Sequence, residues 1–448
     1  MVWLVRFLRK SRRQVWEFKG HITALMALVF VLMLSLVGAL FESASIQIQK
    51  NNLRIRTMLA TESVFAEYDR DLLETYDIFA RYGKEEDGFS KRLLYYGASG
   101  AEHALEEIQL LSDSGGKPFY EQGVKYSKTW MGIEDFSYGD DYVLEDKETI
   151  RNQGDVAYQE LETVLEKEQV TLPAENNPFS IMEDLKTMDL LTLLLADASK
   201  LSSRSIQTHD LPSRRSLEEG NFREVDGTDA MDKSFFVFYL AEHFSSKQDE
   251  KAERSLLYEL EYLLQGNASD RENLTAVCHE LMQIRMLANY VYLLTDTGKQ
   301  NEAGVVATAL CTLISVPEIA EVVKQGILFA WAYGESVVDV RGLLRGNKIP
   351  IVKNSGTWCL SLNQLSRVAS SQVIGGVGSN GEGMDYQDYL TALLLLEDRE
   401  NLCMRGLDLI ERNLDLRVDC CMTKVKLESR AILRRGIEER FTTKYEYQ

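Results

Sequence analysis

The residues best placed to do chemistry are Glu335 and Asp339, four apart within the apolar run ILFAWAYGESVVDVRGLL. That spacing puts both carboxylates on one face of a helix. Paired carboxylates can serve as general acid and base, or hold a hard cation. In an apolar setting they are more often neutralised by a basic partner. Arg285 is the expected partner, because it sits in a second long helical stretch of matching length. The run Gly376-Val377-Gly378-Ser379-Asn380-Gly381 has the form G-x-G-x-x-G, but Glu382 and Asp385 would repel phosphate there, and no βαβ pattern surrounds it. A glycine loop is the expectation. The five histidines form neither H-E-x-x-H nor H-x-H, and no G-x-S-x-G or P-loop lysine occurs. No cofactor and no metal site is expected. Six cysteines lack C-x-x-C or zinc spacing and are expected to be mostly unbridged and buried.

The elements that would position these residues are mainly helical. Ser269 or Asp270 caps a helix over about 271–294, a second helix covers about 303–314, and Pro317 opens a third, about 318–344, bearing Glu335 and Asp339. Asp385 caps a helix to about 397, whose LTALLLL is core. Helices are also expected at 101–111, 147–169, 182–197 and 234–244. Strands are expected within 120–144, at 256–264 by its alternation of Tyr258, Leu260, Tyr262 and Leu264 with Glu259 and Glu261, and at 348–353, 418–427 and 441–445. Residues 112–118 read as a turn, and 202–221 as an exposed linker or lid.

Upstream lies Ile22 to Phe41, twenty uncharged residues, including Leu25, Val29, Phe30, Leu32 and Leu36. At ~1.5 Å per residue such a helix crosses the ~30 Å hydrocarbon core. Arg6, Arg9, Lys10, Arg12, Arg13 and Lys19 precede it, and Glu42 is the first charge after it. The positive-inside rule keeps that basic leader in the cytoplasm and sends the rest outside, as a single-pass protein of the cell membrane. No Pro or Gly interrupts residues 42–80, and Met58, Thr61, Phe65, Tyr68, Leu72, Tyr76 and Phe79 share one helical face. The helix is therefore expected to continue outward to Ala80 as an amphipathic stem. Lys19-Gly20 before His21 has the layout of a prepilin cleavage site, although Leu25 stands where a pilin has Glu; Ser43-Ala44-Ser45 offers a signal-peptidase alternative.

The net charge of −19 is divided unevenly. Residues 1–20 carry about +5, leaving about −24 for the remainder, so nucleic acid is excluded as a partner. The expected domains are a leader at 1–21, a membrane helix at 22–41, a stem at 42–80, an irregular α+β region at 81–230, and a helical body with a few strands at 231–448.

Several segments together carry a family resemblance: KGHITALMALVFVLMLSLVGALFES, SVFAEYDRDLLETYDIFARYG, LEYLLQGNASDRENL, IRMLANYVYLLTD, ILFAWAYGESVVDVRGLLRGNKIPIVK with Trp358, and MDYQDYLTALLLL. The set resembles an uncharacterised domain-of-unknown-function family of Gram-positive bacteria, membrane-anchored and associated with tight-adherence (Tad/Flp) pilus loci. The N-terminal layout is similar to TadE/TadG-like pseudopilins. The resemblance implies association with the bilayer and with pilus-assembly proteins through the N-terminal helix. It also places Glu335, Asp339 and Arg341 in the family's central helix; with Arg285 they are read from the residues themselves as structural ion-pair candidates. The expected function is a non-enzymatic structural or assembly component; the alternative is an extracytoplasmic enzyme or ligand-binding module using Glu335 and Asp339.

Overall fold

In this computed structural model, residues 2–83, 86–132, 178–222, 230–313, 317–369 and 383–447 are described. The chain is mainly α with a minor β component. It forms two compact units, one of residues 1–68, 83–108 and 424–448, the other of residues 69–82 and 109–423.

The first unit is built on α1, Val2–Phe65, an unbroken helix. From Ile22 onward its apolar residues stand exposed, whereas Leu53, Thr57, Ala60, Thr61, Val64 and Phe65 are buried. These recur at helical spacing, so one stripe of the distal helix faces protein. The stripe is rotated from the expected one: Met58 is 45% exposed. It packs on α3 (Glu86–Tyr95) and on β4 (Glu438–Glu446). Strand β4 pairs antiparallel with β3 (Cys421–Ile432) in register Ser429↔Phe441. Phe65 stacks on Tyr445 at 4.4 Å and meets Phe89 edge-on at 6.0 Å. Lys50 and Arg54 both reach Glu439, each at 2.6 Å.

The expected stem to Ala80 is cut short at Phe65. Asp69 takes extended geometry and its side chain caps a new helix, α2 (Arg70–Tyr76), by accepting from Leu72 N at 2.9 Å. A side-chain cap offers the backbone a partner that helix continuation would deny it. The helix expected at 101–111 is strand β2, Glu102–Leu110. Its period-2 burial decides the conformation, which the helix-favouring composition of EHALEEIQL obscured.

In the second unit, β1 (Arg81–Tyr82) pairs with Met422 and Cys421. Helix α4, Asp113–Met131, replaces the strands expected from 120; the rest of that stretch, and the helix expected at 147–169, lie outside the described residues. Its start is kinked, with Ser114, Gly115 and Gly116 all at positive φ, so the expected turn lies inside the element. A Cβ on Gly116 would sit 2.9 Å from Cys403 Cβ, so this position needs glycine for space as well as for φ +80. Helices α5 (Pro178–Thr187) and α6 (Leu190–Leu194) bury the leucine run. Then come α7 (Ala230–His243), α8 (Glu259–Gln265), α9 (Asp270–Thr295), α10 (Thr297–Leu313) and α11 (Ala320–Leu344). The last two helices are α12 (Tyr386–Leu396) and α13 (Arg399–Leu414). Ser269 and Asp385 each form a full capping box. Helix α11 packs on α9, α10 and α5, and nearly every side chain from Ile327 to Leu344 is buried.

Three further expectations change. Residues 256–264 are not a strand: α8 begins at Glu259, and Glu259 and Glu261 are fully buried. The polar half of the apparent alternation therefore faces inward. The expected linker at 202–221 is a packed strap. Leu211 is fully buried, Ser213 N and Oγ donate to Asp408 at 2.8 and 2.6 Å, and Arg215 reaches Glu411 at 2.6 Å. Residues 348–353 form only an isolated bridge, Ile349 to Met384. The glycine run 376–381 lies outside the described residues.

Candidate functional site

Glu335 and Asp339 project from α11 into the second unit's interior, 0% and 1% exposed. Alone, two like charges one helical turn apart would repel. Two cations complete the site. Arg285 on α9 directs Nε and Nη2 at Asp339 Oδ2, at 3.1 and 2.9 Å. Lys353, from the loop after α11, reaches Asp339 Oδ1 at 2.6 Å and also contacts Glu335 Oε1. Asn289 Nδ2 donates to Asp339 Oδ2 at 2.9 Å and to Ser336 Oγ at 3.1 Å. The four charges cancel.

The same groups hold the loop 348–361. Glu335 accepts from Cys359 N at 2.9 Å and Leu360 N at 2.7 Å. Arg285 Nη1 donates to Pro350 O, Ile351 O and Tyr389 Oη at 2.9, 3.1 and 3.0 Å. Trp331 and Trp358 both donate Nε1–H to Leu360 O, at 2.8 and 2.5 Å. Lys299 lies 4.8 Å from the Trp331 ring and 5.0 Å from that of Trp358, a cation–π contact with each. Burial raises the Glu335 pKa, and Lys353 only partly offsets this. For Lys353 burial works downward, but Asp339 and Glu335 outweigh it and the ammonium is held charged. Arg285 follows the same balance through Asp339 and Tyr389.

Chemically, this arrangement is a clamp. Its carboxylate oxygens are engaged by cations and backbone N–H groups, and solvent does not reach them. Among the described residues, no group of three or more His, Cys, Asp or Glu side chains could hold a metal ion. Arg341 lies apart from the cluster. Its guanidinium binds Leu193 O at 2.8 and 2.6 Å and Val368 O at 2.7 Å, and no carboxylate pairs with it among the described residues. Burial, with Arg345 nearby, lowers its pKa to about 10. Arg341 is a carbonyl clamp, in place of the expected ion-pair partner. Lys353 was missed because one lysine in a short loop carries no periodic signal.

The clamp motif recurs through the second unit. Asp270 accepts from Leu257 N and Tyr258 N, both at 3.0 Å. Glu259 accepts from Ser245 N at 2.9 Å, and Glu261 from Lys247 N at 3.0 Å. Buried carboxylates thus satisfy backbone donors of irregular segments that no ladder serves. Cysteines play no such part: none is disulfide-bonded, and Cys278, Cys311, Cys403 and Cys421 are buried.

In the first unit, the candidate anchor residues Ile22, Leu25, Val29, Phe30, Leu32, Leu36 and Phe41 are 43–76% exposed. Among the described residues α1 is the one helix long and apolar enough to cross a membrane. Gly20 and His21, the candidate processing site, lie within the helix.

No curated protein and no solved structure matches the chain. A family match covers residues 168–431, more than half of the sequence. It begins beyond α1 and takes in Arg285, Glu335, Asp339, Arg341 and Lys353. The chain therefore belongs to the family of unknown function DUF5702.

Proposed function

We propose that the protein is a non-enzymatic, single-pass component of the cell membrane with an extracytoplasmic body, serving as a structural or assembly subunit of a Tad-type pilus or secretion system. The observation that carries the reading is the division of α1. Its apolar half from Ile22 to Phe41 stands exposed, and its distal half lies against an antiparallel strand pair. A pilin-like subunit would need such a stem lying against a sheet, and the reading is an argument by analogy of architecture. Small residues Ser35, Gly38 and Ala39 would admit a neighbouring helix closely. The basic leader supports a cytoplasmic N-terminus. A catalytic Glu335/Asp339 pair draws no support from side chains sealed from solvent and bound to Lys353 and Arg285.

The test is the mature N-terminus of protein from native membranes, by intact mass, with crosslinking to identify neighbours. A start at His21 supports a processed pilus subunit. A start at Met1 with pilus-assembly proteins crosslinked supports an assembly factor. A start after Ser45, or a protein without neighbours, overturns the reading.

A further inference from the structure

The β3–β4 hairpin turns at Ile432–Ile437, sequence ILRRGI. Two of its three apolar residues face outward, Ile432 at 75% exposed and Ile437 at 37%, while Leu433 is half-buried. Arg434, Arg435 and Gly436 are exposed as well. The turn is closed by Leu433 N to Ile437 O at 2.8 Å and Gly436 N to Leu433 O at 3.1 Å, with Arg435 and Gly436 at positive φ. Arg435 Nε lies 2.6 Å from Glu42 Oε1. Glu42 is the first charged residue after the apolar stretch of α1. Farther along the helix, Lys50 and Arg54 hold Glu439 on β4. The hairpin therefore runs beside α1, with its tip at the level where the apolar stretch ends.

We propose that this tip is a contact site for an anionic lipid surface, in which Ile432 and Ile437 enter the interfacial layer and Arg434 and Arg435 bind lipid phosphate. The inference rests on reading residues 22–41 as a membrane span, since that puts Glu42 at the headgroup layer. Interleaved arginine and isoleucine suit that layer, where an apolar body is buried and a charged end meets phosphate. Charge favours the same occupant. Around the tip, Arg430, Arg434, Arg435 and Arg440 face Glu42 and Glu438: Arg430 and Arg440 share Glu438 at 2.5 and 3.0 Å, and Arg435 holds Glu42. Arg434 has no acidic partner among the described residues. Residues 21–448 carry a net charge of about −24, so an anionic surface repels most of the chain and attracts this turn. The contact would fix how the first unit meets the bilayer.

Hydrogen exchange on the full-length protein tests this, in phosphatidylcholine nanodiscs with and without phosphatidylglycerol and in a neutral detergent micelle. Peptides from 22–41 report the span, and peptides over 430–440 report the turn. The expected result is protection of 22–41 throughout, with the turn slowed roughly fivefold or more in anionic nanodiscs, the weight of one arginine at such a surface. Arg434→Gln with Arg435→Gln should abolish the phosphatidylglycerol dependence, and Ile432→Ser should reduce protection in both nanodiscs. Protected 22–41 with a turn indifferent to lipid overturns the proposal and leaves the span intact. Equal protection in neutral and anionic nanodiscs overturns the arginine–phosphate recognition. Free exchange at 22–41 overturns both readings.

Discussion

Lys353→Met is the sharpest test of the buried clamp. Methionine keeps the unbranched length and removes the charge. Asp339 retains Arg285 and Asn289, and Glu335 retains the N–H groups of Cys359 and Leu360. The contact at Asp339 Oδ1 and the cation against Glu335 are lost. One uncompensated negative charge is left where side chains are 0–2% exposed. Removing one partner of a buried pair costs about 3–5 kcal/mol. The assay is urea unfolding of the full-length protein in detergent, followed by circular dichroism. Burial already raises the Glu335 pKa, and losing Lys353 raises it further. A carboxyl whose folded pKa lies above its unfolded value destabilises once ionised. The deficit should grow as pH rises from the unfolded value through the folded pKa of Glu335, and shrink as pH falls back through it. Glu335→Gln added to Lys353→Met should recover a large part of the loss at pH 8. A deficit below about 1 kcal/mol, or one independent of pH, would refute the account of a charge-balanced, desolvated cluster.

Three other outcomes follow from the same physics. Burial raises Glu261 from 4.5 to about 7, with hydrogen bonds from Tyr386 Oη and Lys247 N only partly opposing. The folded state then holds the proton more tightly, so this group's contribution falls as pH rises from about 4.5 to 7, by about 3 kcal/mol in all. The stability difference between Glu261→Gln and wild type should shift by that amount between pH 4.5 and pH 8; a flat difference sinks the argument. Asp408→Ala strips the acceptor from Ser213 and from Tyr262 Oη (2.8 Å), costing about 2–3 kcal/mol. Limited proteolysis should then cut first within 202–221, and unchanged resistance would mean that the strap is held by other contacts. In Gly123→Ala the new Cβ would lie 2.9 Å from both Phe236 and Tyr239, where α4 meets α7. Overpacking of about 1–3 kcal/mol against a helix-propensity gain of about 1 predicts a net loss, read as a lower melting temperature.

The features legible in the sequence are local or one-dimensional. The apolar stretch Ile22–Phe41 is legible because twenty uncharged residues have few other uses. Ser269 and Asp385 mark helix starts because a cap acts within three residues. The spacing of Glu335 and Asp339 fixes a shared helix face, and Arg285 was identifiable as the cation on the neighbouring long helix. The remaining features depend on partners distant in the chain, which packing alone brings together. Lys353 lies 18 residues from Glu335, and loop closure brings it in. Arg341 meets backbone carbonyls of Leu193 and Val368, whose availability no sequence pattern announces. Glu259 and Glu261 read as a solvent face, because patterning assumes that charge points outward. Here the charges point inward, because loops folded over the helices bring unsatisfied N–H groups to meet them. Local propensity writes the helices; the need to pair every buried donor and acceptor, which is a property of the whole packed chain, decides which way their polar residues face.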